Sequence, residues 1–420
     1  MSNWVIEGGR PLQGEVVVQG AKNAALPILA ATLLVEAPIR LLHCPRLRDV
    51  ENMCEILTAL GCRVHWESDA LVVDASTANQ TALPDALSGK LRSSIFLLGS
   101  VLARFGEASA PYPGGCEIGQ RPVDLHLFAL RRLSAEVEET GGRIVCRAKR
   151  LLGNTIDLDY PSVGATENGI LAACRAEGET VIRNAAREPE IVDLERFLNA
   201  CGFAVRGAGT STVTVSGRRK GHGASHRVMG DRIVAGTYLL AGAMTKGSVT
   251  VQGISPSYLD ALTSKLVLMG ATVSVFGQEI SVSADRRLCA LDRLETLPYP
   301  GFPTDMQAQM FSALSVANGT SVLVEHVFEN RFKHAMELRR LGANNTVRGR
   351  IAVVSGVERL VGTTVTAHDL RGGAALVLAG LVGEGQTVVE RAELVERGYE
   401  RMDVVIRALG GRMERKDGTS

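Results

Sequence analysis

The sequence predicts an α/β protein of two similar domains, each built from three copies of one strand–helix–strand–helix unit. Three observations carry that expectation. A helix-ending motif recurs six times, an apolar helical run recurs with the same period, and 420 residues are too many for a single core.

The helix-ending motif is Leu-Gly, or a close relative, followed by a β-rich strand. It stands at Ala59-Leu60-Gly61, Arg132-Leu133-Ser134, Ala200-Cys201-Gly202, Leu268-Met269-Gly270, Arg340-Leu341-Gly342 and Ala408-Leu409-Gly410. Its last positions are 68 to 73 residues apart, and glycine after a helix is the expected C-cap. The apolar runs, each followed by a turn and a valine- or isoleucine-rich strand, cover 24–42, 94–110, 164–182, 233–251, 306–324 and 373–389. Each unit therefore reads strand, helix, strand, helix, short strands, which implies parallel strands joined through helices. Three units make a reasonable domain, and Gly221 to Arg227 is the expected linker between the two. A solenoid is the alternative, disfavoured by the unequal loops between repeats.

Composition narrows the function. Acidic and basic residues balance, 45 against 46, which argues against a general nucleic-acid or membrane-surface binder. Eight cysteines show no Cys-x-x-Cys pair and no small-domain framework, favouring free thiols in a reducing compartment. His222 and His226 lie four apart in a glycine-rich stretch and read as a solvated loop, not a metal site. No apolar run approaches a membrane span and the N-terminus lacks a secretory pattern, so the expectation is a soluble cytoplasmic protein.

Charge must then act locally. The first helix of each unit begins near Lys22, Arg92, Gly164, Arg232, Asp305 and Arg371, and second helices follow Arg48, Arg121, Arg187, Arg331 and Arg397. Equivalent helix starts in a symmetric domain point the same way, so basic residues there would line an anion-binding cleft. The alternative pairs these arginines with neighbours such as Asp49, Asp124, Glu188, Glu329 and Glu400 on the surface. Asp305 and Asp369 are either helix N-caps or carboxylates facing the cleft as a general base. In Pro111-Tyr112-Pro113-Gly114-Gly115-Cys116, prolines and glycines display Cys116 on a loop. Arg121 and a helix N-terminus would favour its thiolate. Phosphate-binding Gly-x-x-x-x-Gly-Lys, His-Glu-x-x-His and Gly-x-Ser-x-Gly motifs are absent from the sequence.

Gln19 to Leu29, the loop from Pro111 through His126, Ser162-Val163-Gly164-Ala165-Thr166, Arg187 to Asp193, Phe302 to Gln309, Phe328 to Phe332, Asp369-Leu370-Arg371 and Arg397 to Arg401 match a known pattern. On these motifs, essentially the whole chain resembles the UDP-N-acetylglucosamine 1-carboxyvinyltransferases, the enolpyruvyl transferases that start bacterial peptidoglycan precursor synthesis. The resemblance implies a two-domain inside-out α/β barrel of six βαβαββ-type repeats, three per domain. Residues 22–229 would form one domain, and 1–21 with 230–420 the other. It implies phosphoenolpyruvate and UDP-N-acetylglucosamine bound between the domains, with neither cofactor nor metal, and neither nucleic acid nor membrane as partner.

By the same resemblance, Lys22, Asn23, Arg121, Arg331, Arg371 and Arg397 should meet phosphoenolpyruvate. Asn23, Arg92, Arg121, Pro122, Val123, Asp124, Leu125, Ser162, Val163, Gly164, Asp305, Val327 and Phe328 should meet the UDP-sugar. Cys116 would protonate the methylene carbon of phosphoenolpyruvate. Asp305 would take the proton of the sugar 3′-hydroxyl, supported by Asp369, with Lys22 and Arg397 also catalytic. Tyr160, where some members carry lysine, and Val234, where an acid is common, depart from the pattern. A shikimate 3-phosphate acceptor, as in the sister family, is disfavoured because that family lacks the cysteine. A silent regulatory paralogue is disfavoured because Cys116, Lys22 and Asp305 are all present.

Overall fold

The structure is a computed structural model describing residues 2–89, 91–112 and 123–417. These divide into two compact units, one of residues 20–89, 91–112 and 123–229, the other of 2–19 and 230–417. Each is α/β with small sheets around buried helices.

The first unit buries three helices, Lys22–Thr32, Leu97–Phe105 (entered through a 3-10 turn, Arg92–Phe96) and Val163–Ala173. The second buries Arg232–Met244, Gln307–Ser315 (entered through Thr304–Met306) and Leu370–Val382. These helices are largely apolar and buried on nearly every side, and small residues let them approach closely. At Gly99 a Cβ would lie 2.3 Å from the Asn168 Oδ1 that accepts the Gly99 N–H at 2.7 Å, so only glycine fits. All six begin within about two residues of the starts expected from the sequence.

The second helix of each unit ends identically. Gly61, Ser134, Gly202, Gly270, Gly342 and Gly410 all have left-handed backbones, with φ from 70° at Ser134 to 95° at Gly342. In each case the following residue donates to a carbonyl five residues back, as Cys62 N does to Leu57 O at 3.0 Å and Ala135 N to Leu130 O at 3.1 Å. This is the Schellman closure, and Ser134 adopts it without glycine's freedom.

The sheets depart from the parallel expectation. Each contains antiparallel pairs, because the last two strands of a unit are joined by a turn too short for a crossover, as in Arg63–Glu67 with Ala70–Asp74. Five sheets also have one parallel pair, such as Thr155–Asp157 with Glu179–Arg183, and the sixth has a parallel bridge from Ala82 to Ser109. Two strands are exchanged. Gln13–Val17 precedes the Lys22 helix but pairs in parallel with Ser248–Gln252. Ser225–Arg227 precedes the Arg232 helix but pairs in parallel with Pro38–Leu42. The 221–227 stretch is thus partly a sheet strand, not an unpaired linker. Ser2–Glu7 inserts between Gln386–Glu390 and Arg412–Asp417, burying Trp4 and Ile6.

Candidate functional site

In the unit of residues 230–417, the helix starts bring charged side chains together. Asp369 is the N-cap of Leu370–Val382, its Oδ1 accepting from Arg371 N at 3.0 Å and Gly372 N at 2.9 Å. Asp305 is different. It lies inside the Thr304–Met306 turn and makes no cap; its Oδ1 accepts from Arg331 Nη2 at 2.7 Å and its Oδ2 from Arg371 Nη2 at 2.8 Å. The two arginine side chains are only 3% and 4% exposed, whereas Asp305 is 26% exposed. One carboxylate thus bridges two buried guanidinium groups and keeps an open side.

Burial works against the Arg371 charge, but Asp305, Tyr399 and Asp231 more than offset it and hold its pKa above the usual arginine value. Arg331 Nε and Arg371 Nη1 are buried and make no hydrogen bond among the described residues. Two charged donors therefore remain for an anion.

Beyond Val327, Phe328 and Arg397, sequence reasoning missed the residues that hold this arrangement. Buried Glu325 accepts from Thr296 Oγ1 (2.8 Å), Thr304 Oγ1 (2.9 Å), Val327 N (2.8 Å) and Phe328 N (3.1 Å), tying the 327–328 loop to the Asp305 turn. Phe328 lies under the Arg331 guanidinium at 5.5 Å and Tyr399 under that of Arg371 at 5.9 Å. The Tyr399 hydroxyl is shared with Thr237 Oγ1 at 2.9 Å and Gln309 Nε2 at 3.1 Å. Arg397 stands in the same loop, which Gln19 anchors by accepting from Glu400 N at 2.7 Å and donating to Gly398 O at 3.2 Å. His334 is buried edge-on to Phe311 at 5.0 Å; burial first lowers its pKa to about 4, against the pull of Asp369. The available signal was polar residues (Gln309, Glu325) embedded in otherwise apolar stretches, whereas His334 stands among charged neighbours and gave none.

In the unit of residues 20–229, Lys22 opens its helix and its Nζ donates to Asp49 Oδ2 at 3.1 Å, with both side chains largely buried. Asn23 follows it, half-buried. Arg92 opens its 3-10 turn, and Ser162 caps Val163–Ala173 by accepting from Ala165 N at 3.3 Å. Gly164 is pinned: a Cβ there would lie 2.7 Å from His126 Cε1 and 3.0 Å from Phe96 Cε1. His126 stacks on Phe96, and burial, then the Arg92 charge, lowers its pKa to about 4. Arg92 and Gly164 therefore stand beside a neutral histidine that the sequence marked only as the end of the Pro111–His126 motif, with no role assigned to it. Val123 is buried before the Asp124–Arg132 helix, with Asp124 exposed and Leu125 half-buried. Cys116, Arg121 and Pro122 lie outside the described residues.

The surface-pair alternative for the arginines fails at two places. Asp49 pairs with Lys22, and Glu329 pairs with Arg350 while Arg331 takes Asp305. The solvated-loop reading of His226 is also corrected: its Nε2 lies 3.1 Å from Oδ1 of buried Asp193, whose Oδ2 accepts from Met229 N. Among the described residues no helix is long and apolar enough to cross a membrane.

The family described as EPSP synthase (3-phosphoshikimate 1-carboxyvinyltransferase) matches residues 6–405. The chain is 50% identical over 410 residues to UDP-N-acetylglucosamine 1-carboxyvinyltransferase 2 of Caldanaerobacter subterraneus subsp. tengcongensis, covering 98% of each. It is 47% identical to UDP-N-acetylglucosamine 1-carboxyvinyltransferase 1 of Carboxydothermus hydrogenoformans, covering 100% of this chain and 99% of that one. Among solved structures, the enolpyruvyl transferase NikO from Streptomyces tendae superposes with a TM-score of 0.89 at 25% identity, over 100% of this chain and 99% of that one. EPSP synthase from Acinetobacter baumannii shares the fold with a TM-score of 0.76 at 18% identity, over 99% of this chain and 100% of that one.

Proposed function

The chain belongs to the EPSP synthase family, and from that premise we propose that it transfers the enolpyruvyl group of phosphoenolpyruvate to the 3′-hydroxyl of UDP-N-acetylglucosamine, releasing phosphate. This reaction commits material to peptidoglycan precursors. The relatives that name the UDP-sugar are far more similar to this chain than the EPSP synthase neighbour, which favours that acceptor over shikimate 3-phosphate. The observation that carries the chemical reading is Asp305, a carboxylate held between two buried arginines that keep further donors for an anion.

In the reaction, the Cys116 thiol gives its proton to the methylene carbon of phosphoenolpyruvate, making the neighbouring carbon electrophilic. Asp305 takes the 3′-hydroxyl proton as that oxygen adds, giving a tetrahedral ketal that still bears phosphate. The bond from the ketal carbon to the phosphate oxygen then breaks, releasing phosphate, and the Cys116 thiolate takes back a methyl proton, restoring the double bond as an enol ether. Arg331 and Arg371 offset the substrate carboxylate; Lys22, Arg121 and Arg397 take the phosphate charge, with Asn23 beside it. Arg92, residues 121–125, Ser162, Val163, Gly164, Val327 and Phe328 bind the UDP-sugar. Asp369 supports Asp305 by fixing the helix start that carries Arg371.

We read each unit as an inside-out barrel of three repeats, supported by the enclosed helices and outward sheets, and place the reaction in the cytoplasm, where free cysteines persist. The test is phosphate release from phosphoenolpyruvate with UDP-N-acetylglucosamine and shikimate 3-phosphate as parallel acceptors. Release with the UDP-sugar alone is expected, and release only with the shikimate ester overturns the acceptor. Cys116→Ala should retain the fold and lose nearly all turnover; full activity removes Cys116 from the mechanism.

A further inference from the structure

The outward faces of the sheets are not alike. In the sheet of Arg293–Thr296, Thr320–Glu325, Ile351–Ser355 and Asn344–Arg348, Val322 stands opposite Val353 and Val324 opposite Ile351. These side chains alternate with buried neighbours, so they share the face turned away from the helices. Ile351 and Val353 remain 47% and 39% exposed. In other sheets the matching place holds Thr250 opposite Ser281, or Arg40 opposite Val72. Val5 opposite Val388 is apolar, but the next outward pair is Glu7 with Gln386. Among the described residues, only this sheet sets two aliphatic pairs side by side, where β-proteins ordinarily place polar groups facing water.

The flanking charges say what covers the block. Register puts Glu295, Val324, Ile351 and Arg348 in one row across the four strands, and Arg293, Val322, Val353 and Thr346 in a second row on the same face. Glu295 and Arg348 are thus equidistant from the line between the two central strands and opposite in charge. A two-fold axis along that line, in the plane of contact, lays each row on its own reverse. Glu295 then faces Arg348 of a second copy, twice, and each valine–valine column covers a Val353–Ile351 column. We propose that this face is a self-complementary contact through which two copies of the chain associate, sheet on sheet at about 10 Å.

The present partners of these charges do not oppose it. Glu295 pairs with Arg293 and, at 3.9 Å, with His326 Nε2, and exposed pairs of this kind exchange at little cost. Arg348 is exposed and has no ion pair among the described residues. Four strands spaced by about 4.8 Å and five residues long present on the order of 300 Å² per copy. That is well below the roughly 800 Å² per partner of a stable complex, so the dimer is reversible and forms as concentration rises.

Sedimentation equilibrium on the full chain, up to roughly 1 mM, tests this. The weight-average mass of the wild type should climb from 44.7 kDa towards twice that value. Val353→Lys and Arg348→Glu should each weaken association about tenfold or more, since symmetry counts every lesion twice. Glu295→Arg combined with Arg348→Glu should restore it to within about threefold. A wild type that stays monomeric overturns the proposal, as does association untouched by either single variant or a double variant that fails to recover. Should Val353→Lys unfold, the charge exchange decides alone, because it alters only surface residues.

Discussion

Replacing Asp305 with asparagine separates a catalytic carboxylate from a structural one. The amide keeps the shape and one acceptor oxygen, but removes the charge shared by Arg331 and Arg371 at 2.7 and 2.8 Å. Breaking a buried pair from one side costs about 3–5 kcal/mol, and a hydrogen bond to a charged group about 1.5–3 kcal/mol. Asparagine retains roughly one neutral bond, and Asp305 is 26% exposed, so the net loss should be about 3 kcal/mol. In a unit of this size that lowers Tm by roughly 6–12 °C. If Asp305 is the base, kcat should fall by about 10² to 10⁴. KM for phosphoenolpyruvate should hold or fall, because the arginines lose a competing anion. By the same argument, phosphoenolpyruvate should raise the variant's Tm more than the wild type's. Initial rates of phosphate release and thermal melts with and without ligand measure all of this. A kcat within about threefold of wild type, with KM raised, would refute the reasoning and reduce Asp305 to a substrate contact.

The six helix endings give a matched pair: Ser134→Gly should gain about 1 kcal/mol by relieving a left-handed backbone, and Gly342→Ala, where a Cβ meets nothing within 4 Å, should lose about as much. Denaturant titration reads both, and a destabilising Ser134→Gly contradicts the strain argument. Burial first, then Glu190 and Glu188, raises the Glu167 pKa well above the usual carboxyl range, so the folded chain keeps it protonated and loses stability as pH rises. Glu167→Gln should therefore raise Tm at pH 8 and give no advantage near pH 4; a lower Tm at pH 8 would show the carboxylate to be needed. His126, neutral when folded with its pKa near 4, forfeits stability as pH falls from about 6.5 to 4, on the order of 3 kcal/mol in full. Against His126→Asn, the wild type's advantage should shrink across that window, and a constant difference speaks against a neutral His126.

The repeat was legible because its signals are local. A left-handed residue after a helix selects glycine whatever surrounds it, so five glycines and Ser134 marked the six endings. The exchange of Gln13–Val17 with Ser225–Arg227 was not legible from the pattern. Both strands are short, and parallel pairing is decided by which sheet has an open edge, not by the strand's own residues. Asp305 and Asp369 read alike as N-caps because both precede a helical run. Asp305 lies two residues past the N-cap position, inside a 3-10 turn, and that turns its carboxylate from backbone donors to Arg331 and Arg371. His226 was misread because Asp193, its partner, is 33 residues away in sequence.

The same repeat explains why the charges converge. Asp231, Asp305 and Arg371 stand at the starts of the three equivalent helices of one unit. Arg371 bonds Asp305 directly and also feels Asp231, so the three starts gather at one end of that unit. Three helix N-termini gathered there would favour anions, and with Arg331 and Arg371 the end would be strongly cationic. Each of the three starts carries an acid, but Asp231 and Asp369 cap their helices, so Asp305 alone turns its carboxylate to the two arginines and neutralises part of that charge. Held by two arginines, the carboxylate is a poor base while it remains their only anion. A substrate carboxylate sharing the arginines would weaken that hold, so base strength at Asp305 would rise as the donor substrate binds, and proton removal from the acceptor would follow it.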